Sequence, residues 1–199
     1  MMVEIRPRLV DAALSGCRAE SENVRHRDNF LSDYDLWMHR RYRELLVEHV
    51  PSFIYASEEA DPEVIGDDAD PDLCVLVDPL DTSELAVRAL HGYTHVLVYS
   101  RALARPVVAV VGDIFHHVQA YVAARDDIGN DIAFMVTADG AEHRLETPSS
   151  ASLSEALVTN YLMRPEQRFG PLARQRDFID ALSGGGEGKG RIGVDFGSV

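Results

Sequence analysis

A chain of 199 residues, 46% hydrophobic and 26% charged, has the make-up of an ordinary globular protein and enough length to bury a core. Its formal charge of −14 argues against nucleic acid as a partner, because that binding depends on Lys and Arg neutralising phosphates. A small phosphorylated ligand stays open, since bound dications can supply the missing positive charge.

No apolar run approaches the roughly 20 residues of a membrane helix, so no membrane partner is expected. Glu4, Arg6 and Arg8 stand where a signal peptide would be apolar, which predicts a cytoplasmic protein.

In chain order, Val3 to Ala19 reads as a helix with Ile5, Leu9, Val10, Ala13 and Leu14 near helical spacing. Ser32 is an N-cap candidate for a second helix running to about His49, closed by Pro51. Asp35 would lie in its first turn. The pattern then changes to strands. Ser52 to Tyr55 is short, and Leu73 to Val77 is a continuous apolar run ending in Asp78-Pro79. Thr94 to Tyr99, Val107 to Val111 and Val118 to Ala123 follow, and then Ile132 to Val136 and Glu142 to Leu145 flank the hairpin signal Asp139-Gly140. Leu157 to Tyr161 is one more strand, and Arg174 to Leu182 a short helix. Two helices before a run of hairpin-linked strands predict an α+β layered structure.

Several features read as structural. The acidic stretch from Glu58 to Asp72, beyond its first glutamates, reads as a solvated loop. Cys17, in the first helix, and Cys74, in a strand, are expected as buried free thiols. Gly184 to Gly190 fails the phosphate-loop pattern, because Ser183 stands where its first glycine belongs, and reads as a surface loop. The pair His116-His117, with His91 and His95, could suggest a transition-metal site, but none shows ligand spacing and the favoured reading is exposed turn histidines.

The chemistry concentrates in Val77-Asp78-Pro79-Leu80-Asp81-Thr82-Ser83-Glu84. An apolar strand delivers Asp78 at its end, and Pro79 stops the hydrogen-bond ladder and turns the chain. Asp81 can then face the same cleft, so two carboxylates and the Leu80 carbonyl offer hard oxygen ligands suited to Mg²⁺. Ser83 to Leu90 can form a short helix whose free N–H groups would seat a phosphate. Ser57-Glu58-Glu59 follows the short strand, so neighbouring strands could set Glu58 beside Asp78.

The order Ser52-Phe53-Ile54, Ser57-Glu58-Glu59, Val77-Asp78-Pro79-Leu80-Asp81 resembles the inositol monophosphatase family of metal-dependent, lithium-sensitive phosphatases. That family's signature is a glutamate pair followed by Asp-Pro-Ile/Leu-Asp-Gly-Thr/Ser. Pro106 to Val122, Leu145 to Leu157 and Arg191 to Val199 are similar to later family segments in the same order.

The resemblance implies a single domain over residues 1–199, with two N-terminal helices packed on a largely antiparallel sheet and the start of the family's C-terminal part from about residue 155. It implies Glu58, Asp78, Asp81 and the Leu80 carbonyl as ligands of two or three Mg²⁺ ions, with inhibition by lithium. Asp35 and a hydroxyl, of Thr82 or Ser83, would orient the attacking water. Thr82, Ser83 and Glu84 would bind the phosphate. The implied reaction is hydrolysis of an inositol, sugar or nucleotide 3′-phosphate by metal-activated water, in a homodimer.

Two departures stand out. The family's glycine after the second aspartate is absent: either Thr82 replaces it and Ser83 is the catalytic hydroxyl, or the glycine is deleted and Thr82 takes that role. No Trp-Asp segment follows, so the C-terminal α/β layer is expected to be missing or supplied by a separate chain. Two other readings stay open, a non-catalytic binding or partner subunit and a biosynthetic enzyme acting on a phosphorylated intermediate.

Overall fold

The computed structural model describes residues 1–25, 27, 30–125, 128–146, 152, 157–161, 174–183 and 191–195. They divide into two compact units, Met1–Leu145 and Glu146–Val199. In the first, helices α1 (Met2–Ser15) and α2 (Asp33–Val47) precede strands β1 (Phe53–Ser57), β2 (Ala60–Ile65) and β3 (Leu73–Asp81). A single helical turn, α3 (Ser83–Ala86), leads to β4 (Tyr93–Ser100), β5 (Arg105–Asp113), β6 (Val118–Arg125), β7 (Asp131–Thr137) and β8 (Glu142–Arg144). The second unit holds a parallel pair, β9 (Leu157–Tyr161) and β10 (Arg191–Asp195), with helix α4 (Arg176–Ser183) between them in sequence. A helical crossover is what a parallel pair requires.

The eight strands of the first unit form one sheet, in the order β2-β1-β3-β4-β5-β6-β7-β8. Every pairing is antiparallel except β1 with β3. The expected α+β arrangement, helices first and a largely antiparallel sheet after them, is the one observed. Period-two alternation sends Val75 and Val77 of β3 into a core with Phe53, Tyr55 and Ile65, against which Tyr42 and Leu46 of α2 pack. Leu76, between them, is exposed. A second core joins Ile5 and Leu9 of α1 and Met38 of α2 to Leu80, Ala86, Val87 and Ile114. The residues just after Asp78 are therefore anchored from below by apolar side chains.

The structure corrects several expectations. Helix α1 stops at Ser15, because Gly16 takes a left-handed cap at φ 69°; Cys17 lies beyond it and is exposed. Part of the acidic stretch is a strand, β2, which pairs with β1 from Phe53↔Ile65 to Ser57↔Ala60. It lies at the sheet edge, where Pro62 is tolerated because one side of the strand needs no donor. Pro79 does not end β3, since an irregularity between Asp78 and Asp81 absorbs the lost ladder bond and pairing resumes at Asp81↔Tyr93. The helix expected through Leu90 is four residues long. The Asp139-Gly140 hairpin forms, with Gly140 at φ 82°. The glycine-rich run 184–190 lies outside the described residues.

Between β3 and α3, Thr82 sits in the left-handed region at φ 61°, ψ 40°. That conformation costs a β-branched residue roughly 1–2 kcal/mol. Thr82→Gly is expected to be more stable to urea than Thr82→Ala by about 1 kcal/mol, because both lose the hydroxyl and only glycine relaxes the backbone. Equal midpoints for the two variants would show that the turn is unstrained.

Candidate metal centre at the ends of β1 and β3

Asp35 is buried at 1% exposure in the first turn of α2. Its Oδ2 accepts hydrogen bonds from the Ser32 N–H at 2.8 Å and the Ser32 hydroxyl at 2.6 Å. This is one arm of a capping box, with aspartate at the third helical position. Its other oxygen, Oδ1, faces the Ser83 hydroxyl, which also lies 2.7 Å from the Leu80 carbonyl. The side chain that caps the start of α2 thus also reaches the turn after β3. The Thr82 hydroxyl donates instead to the Asp81 carbonyl at 2.6 Å. The Glu84 carboxylate pairs with Arg88 at 2.9 Å within its own turn.

Glu58 and Glu59 are the two residues of the tight turn between β1 and β2, since Ser57 pairs with Ala60. The parallel register of β1 and β3 sets Ser57 opposite Val77, so Glu58, just past β1, comes beside Asp78 within β3. They line one open cleft of about 450 Å³ with Ser57, Leu76, His95 and Leu97. The Ser57 hydroxyl accepts from the Glu59 N–H at 3.1 Å and lies 2.8 Å from His39 Nδ1, tying the turn to α2. Burial holds His39 below the ordinary imidazole range.

The carboxylates meet with little compensation. Burial, and then the charges of Glu58, Asp81 and Asp35, push the Asp78 carboxyl up to about 7. Burial with Asp35, Glu58 and Asp78 pushes Glu59 up to about 7 as well. Asp35 is raised chiefly by burial, opposed by its hydrogen bonds to Ser32 and Ser83. Asp78 Oδ1 is buried and has no hydrogen-bond partner among the described residues, an arrangement costing about 1–3 kcal/mol unless something fills the gap. Ligand atoms of Asp78, Asp81 and His95 all lie within 4.8 Å of one another. A divalent cation suits this donor set. It would satisfy the orphan oxygen and cancel the repulsion, with hard oxygens to bind it.

One site residue was set aside by the sequence reading and another escaped it. His95 is no turn histidine: it lies on β4 directly across from Asp78, with Nε2 at 3.1 Å from Asp81 Oδ2. That bond raises its proton affinity. His39 sits on the apolar-patterned helix α2, and nothing in its spacing marked it. The strand alternation that puts His95 on the cleft face follows from the Asp78 pairing, which only the register supplies.

Raised carboxyls mean that the folded protein binds these protons more tightly than the unfolded chain. Stability in the absence of metal should therefore fall as pH rises from about 4 to about 7. In chelator, the melting midpoint is expected to be lower at about pH 8 than at about pH 5, and Asp78→Asn to flatten that slope. A midpoint that rises over this interval contradicts the carboxylate crowding.

No family model matches the chain, and no curated protein matches it. Solved structures do. A staphylococcal IMPase-I in complex with products is 17% identical, with a TM-score of 0.61 over 97% of this chain and 61% of that one. The extragenic suppressor protein SuhB from Bartonella henselae is 14% identical, with a TM-score of 0.59 over 100% of this chain and 69% of that one. Fructose-1,6-bisphosphatase from Leishmania major is 14% identical, with a TM-score of 0.63 over 98% and 64%. The chain thus spans 61% to 69% of these proteins' lengths. With two helices laid on a mixed sheet and an acidic cleft at the ends of β1 and β3, the chain has the inositol monophosphatase type of fold.

Proposed function

We propose that this chain is a metal-dependent phosphatase of the inositol monophosphatase family, hydrolysing a phosphate monoester of a small metabolite. The observation that carries the reading is the link from Asp35 through the Ser83 hydroxyl to the Leu80 carbonyl, set beside the carboxylates of Asp78 and Asp81. Glu58, Asp78, Asp81 and the Leu80 carbonyl would hold the dications, with Mg²⁺ the family's choice and lithium an inhibitor. When bound, such ions lower the pKa of water and neutralise charge on the phosphate and the leaving oxygen.

The protein's own groups divide the remaining work. The Ser83 hydroxyl donates its one proton toward Asp35 or the Leu80 carbonyl, and its oxygen can accept a hydrogen bond from the attacking water. Asp35, held above the ordinary carboxylate range by burial, faces the Ser83 hydroxyl, so it can take the water's proton by relay as Ser83 passes on its own. The phosphorus–ester oxygen bond breaks, the alcohol leaves with a proton, and inorganic phosphate remains. Of the two hydroxyls, Ser83 takes this role, because that of Thr82 is held by the Asp81 carbonyl. The turn backbone at Thr82 to Glu84 would contact the phosphate. The neighbours named IMPase and fructose-1,6-bisphosphatase direct the choice of substrate to cyclitol and sugar phosphates. A cytoplasmic homodimer is part of the same reading.

A non-catalytic subunit is the competing reading, favoured by Thr82 in the left-handed position where the family carries glycine. Phosphate release from inositol, sugar and nucleotide 3′-phosphates, with and without Mg²⁺, separates the two. Release that requires Mg²⁺ is expected, with Ser83→Ala and Asp81→Asn each lowering kcat by about 10²-fold or more. Equal release by Asp81→Asn contradicts the reading, and metal binding without release from any ester favours the subunit.

A further inference from the structure

We infer that His95 Nε2 is a third protein ligand of the cation held by Asp78 and Asp81, and that this nitrogen makes the position favour a transition dication such as Zn²⁺ or Ni²⁺ over Mg²⁺. The inference rests on the metal centre proposed above and adds a donor to it. Three observations carry it. The β3–β4 register places His95 directly across from Asp78. The side chain turns into the cleft that Glu58 and Asp78 line. Its Nε2 is 3.1 Å from Asp81 Oδ2, and one donor atom from each of the three residues falls within 4.8 Å of the others. Two donors at about 2.2 Å from one ion stand at most about 4.4 Å apart, so small side-chain rotations close the set.

The Asp78 oxygen supplies the independent indication. Oδ1 is buried with no hydrogen-bond partner among the described residues, so it has a lone pair available to an ion. Imidazole nitrogen suits borderline transition metals, whereas Mg²⁺ is held by carboxylate, carbonyl and water oxygens and gains little from it. A nitrogen donor with two carboxylates therefore shifts selectivity along the first-row series. As a bare imidazolium, His95 would only balance the Asp81 charge, and it would then stay off the ion.

Pulsed electron paramagnetic resonance on the full chain, stripped of metal and loaded with Mn²⁺, distinguishes the two roles. Directly bonded ¹⁴N coupling is expected in the wild type and absent in His95→Ala. By calorimetry that variant is expected to bind Zn²⁺ about 10–100-fold more weakly, while Mg²⁺ affinity changes by less than about threefold. The wild-type spectrum decides the question even where the variant folds poorly. Bound Mn²⁺ without nitrogen coupling, or coupling that persists in His95→Ala, overturns this inference and leaves the carboxylate site standing. No Mn²⁺ or Mg²⁺ binding by the wild type overturns both.

Discussion

Like charges are crowded together where β1 and β3 end, and the register of the sheet enforces the crowding. Ser57, the last residue of β1, pairs in parallel with Val77 of β3, so the residue that follows each is acidic and the two carboxylates line one cleft. Asp81 returns to the ladder opposite Tyr93, and Asp35 arrives from α2. Burial, and then the neighbouring charges, hold the Asp78 and Glu59 carboxyls above the ordinary carboxylate range. A fold that were selected for stability alone would not keep a buried, unpartnered carboxylate oxygen here. The arrangement makes physical sense with a counter-charge in the cleft.

The same residues are bound into the scaffold. Asp35 caps α2 through Ser32 and reaches Ser83 with its other oxygen, so the helix start and the turn after β3 are positioned by one side chain. The Leu80 side chain is buried in the core while its carbonyl faces Ser83. Thr94 Oγ1 lies 3.1 Å from the Asp78 carbonyl and 2.9 Å from Tyr42 Oη, which pins the end of β3 to both β4 and α2. Groups held from below by apolar packing and from the side by hydrogen bonds keep their geometry without depending on a mobile loop, as preorganised chemistry requires.

Much of this was legible in the residues. Helix α2 and its Ser32 cap, the apolar run of β3 and the Asp139-Gly140 turn each carry a local signal, and each formed where that signal lay. The likeness to a phosphatase family rested on the collinear order of Glu58, Asp78 and Asp81, and the fold agrees with it. What stayed hidden depends on pairing. The strand β2 is poor in β-formers and holds Pro62 and Glu63, so only its pairing with β1 reveals it. Pro79 argued for a turn, yet one ladder irregularity let β3 continue. His95 gave no ligand spacing, because its partners lie across a strand pair rather than along the chain. Which of the Thr82 and Ser83 hydroxyls faces Asp35 is set by backbone conformation at a single residue.

A dication in the cleft at the end of β3 is what the crowded carboxylates call for. Anomalous diffraction from crystals of the full chain soaked in Mn²⁺ tests that directly. A peak within coordination distance of the Asp78 and Asp81 carboxylates, with Glu58 alongside, is the expected result. An empty cleft at saturating Mn²⁺, with those carboxylates turned away from one another, would contradict it.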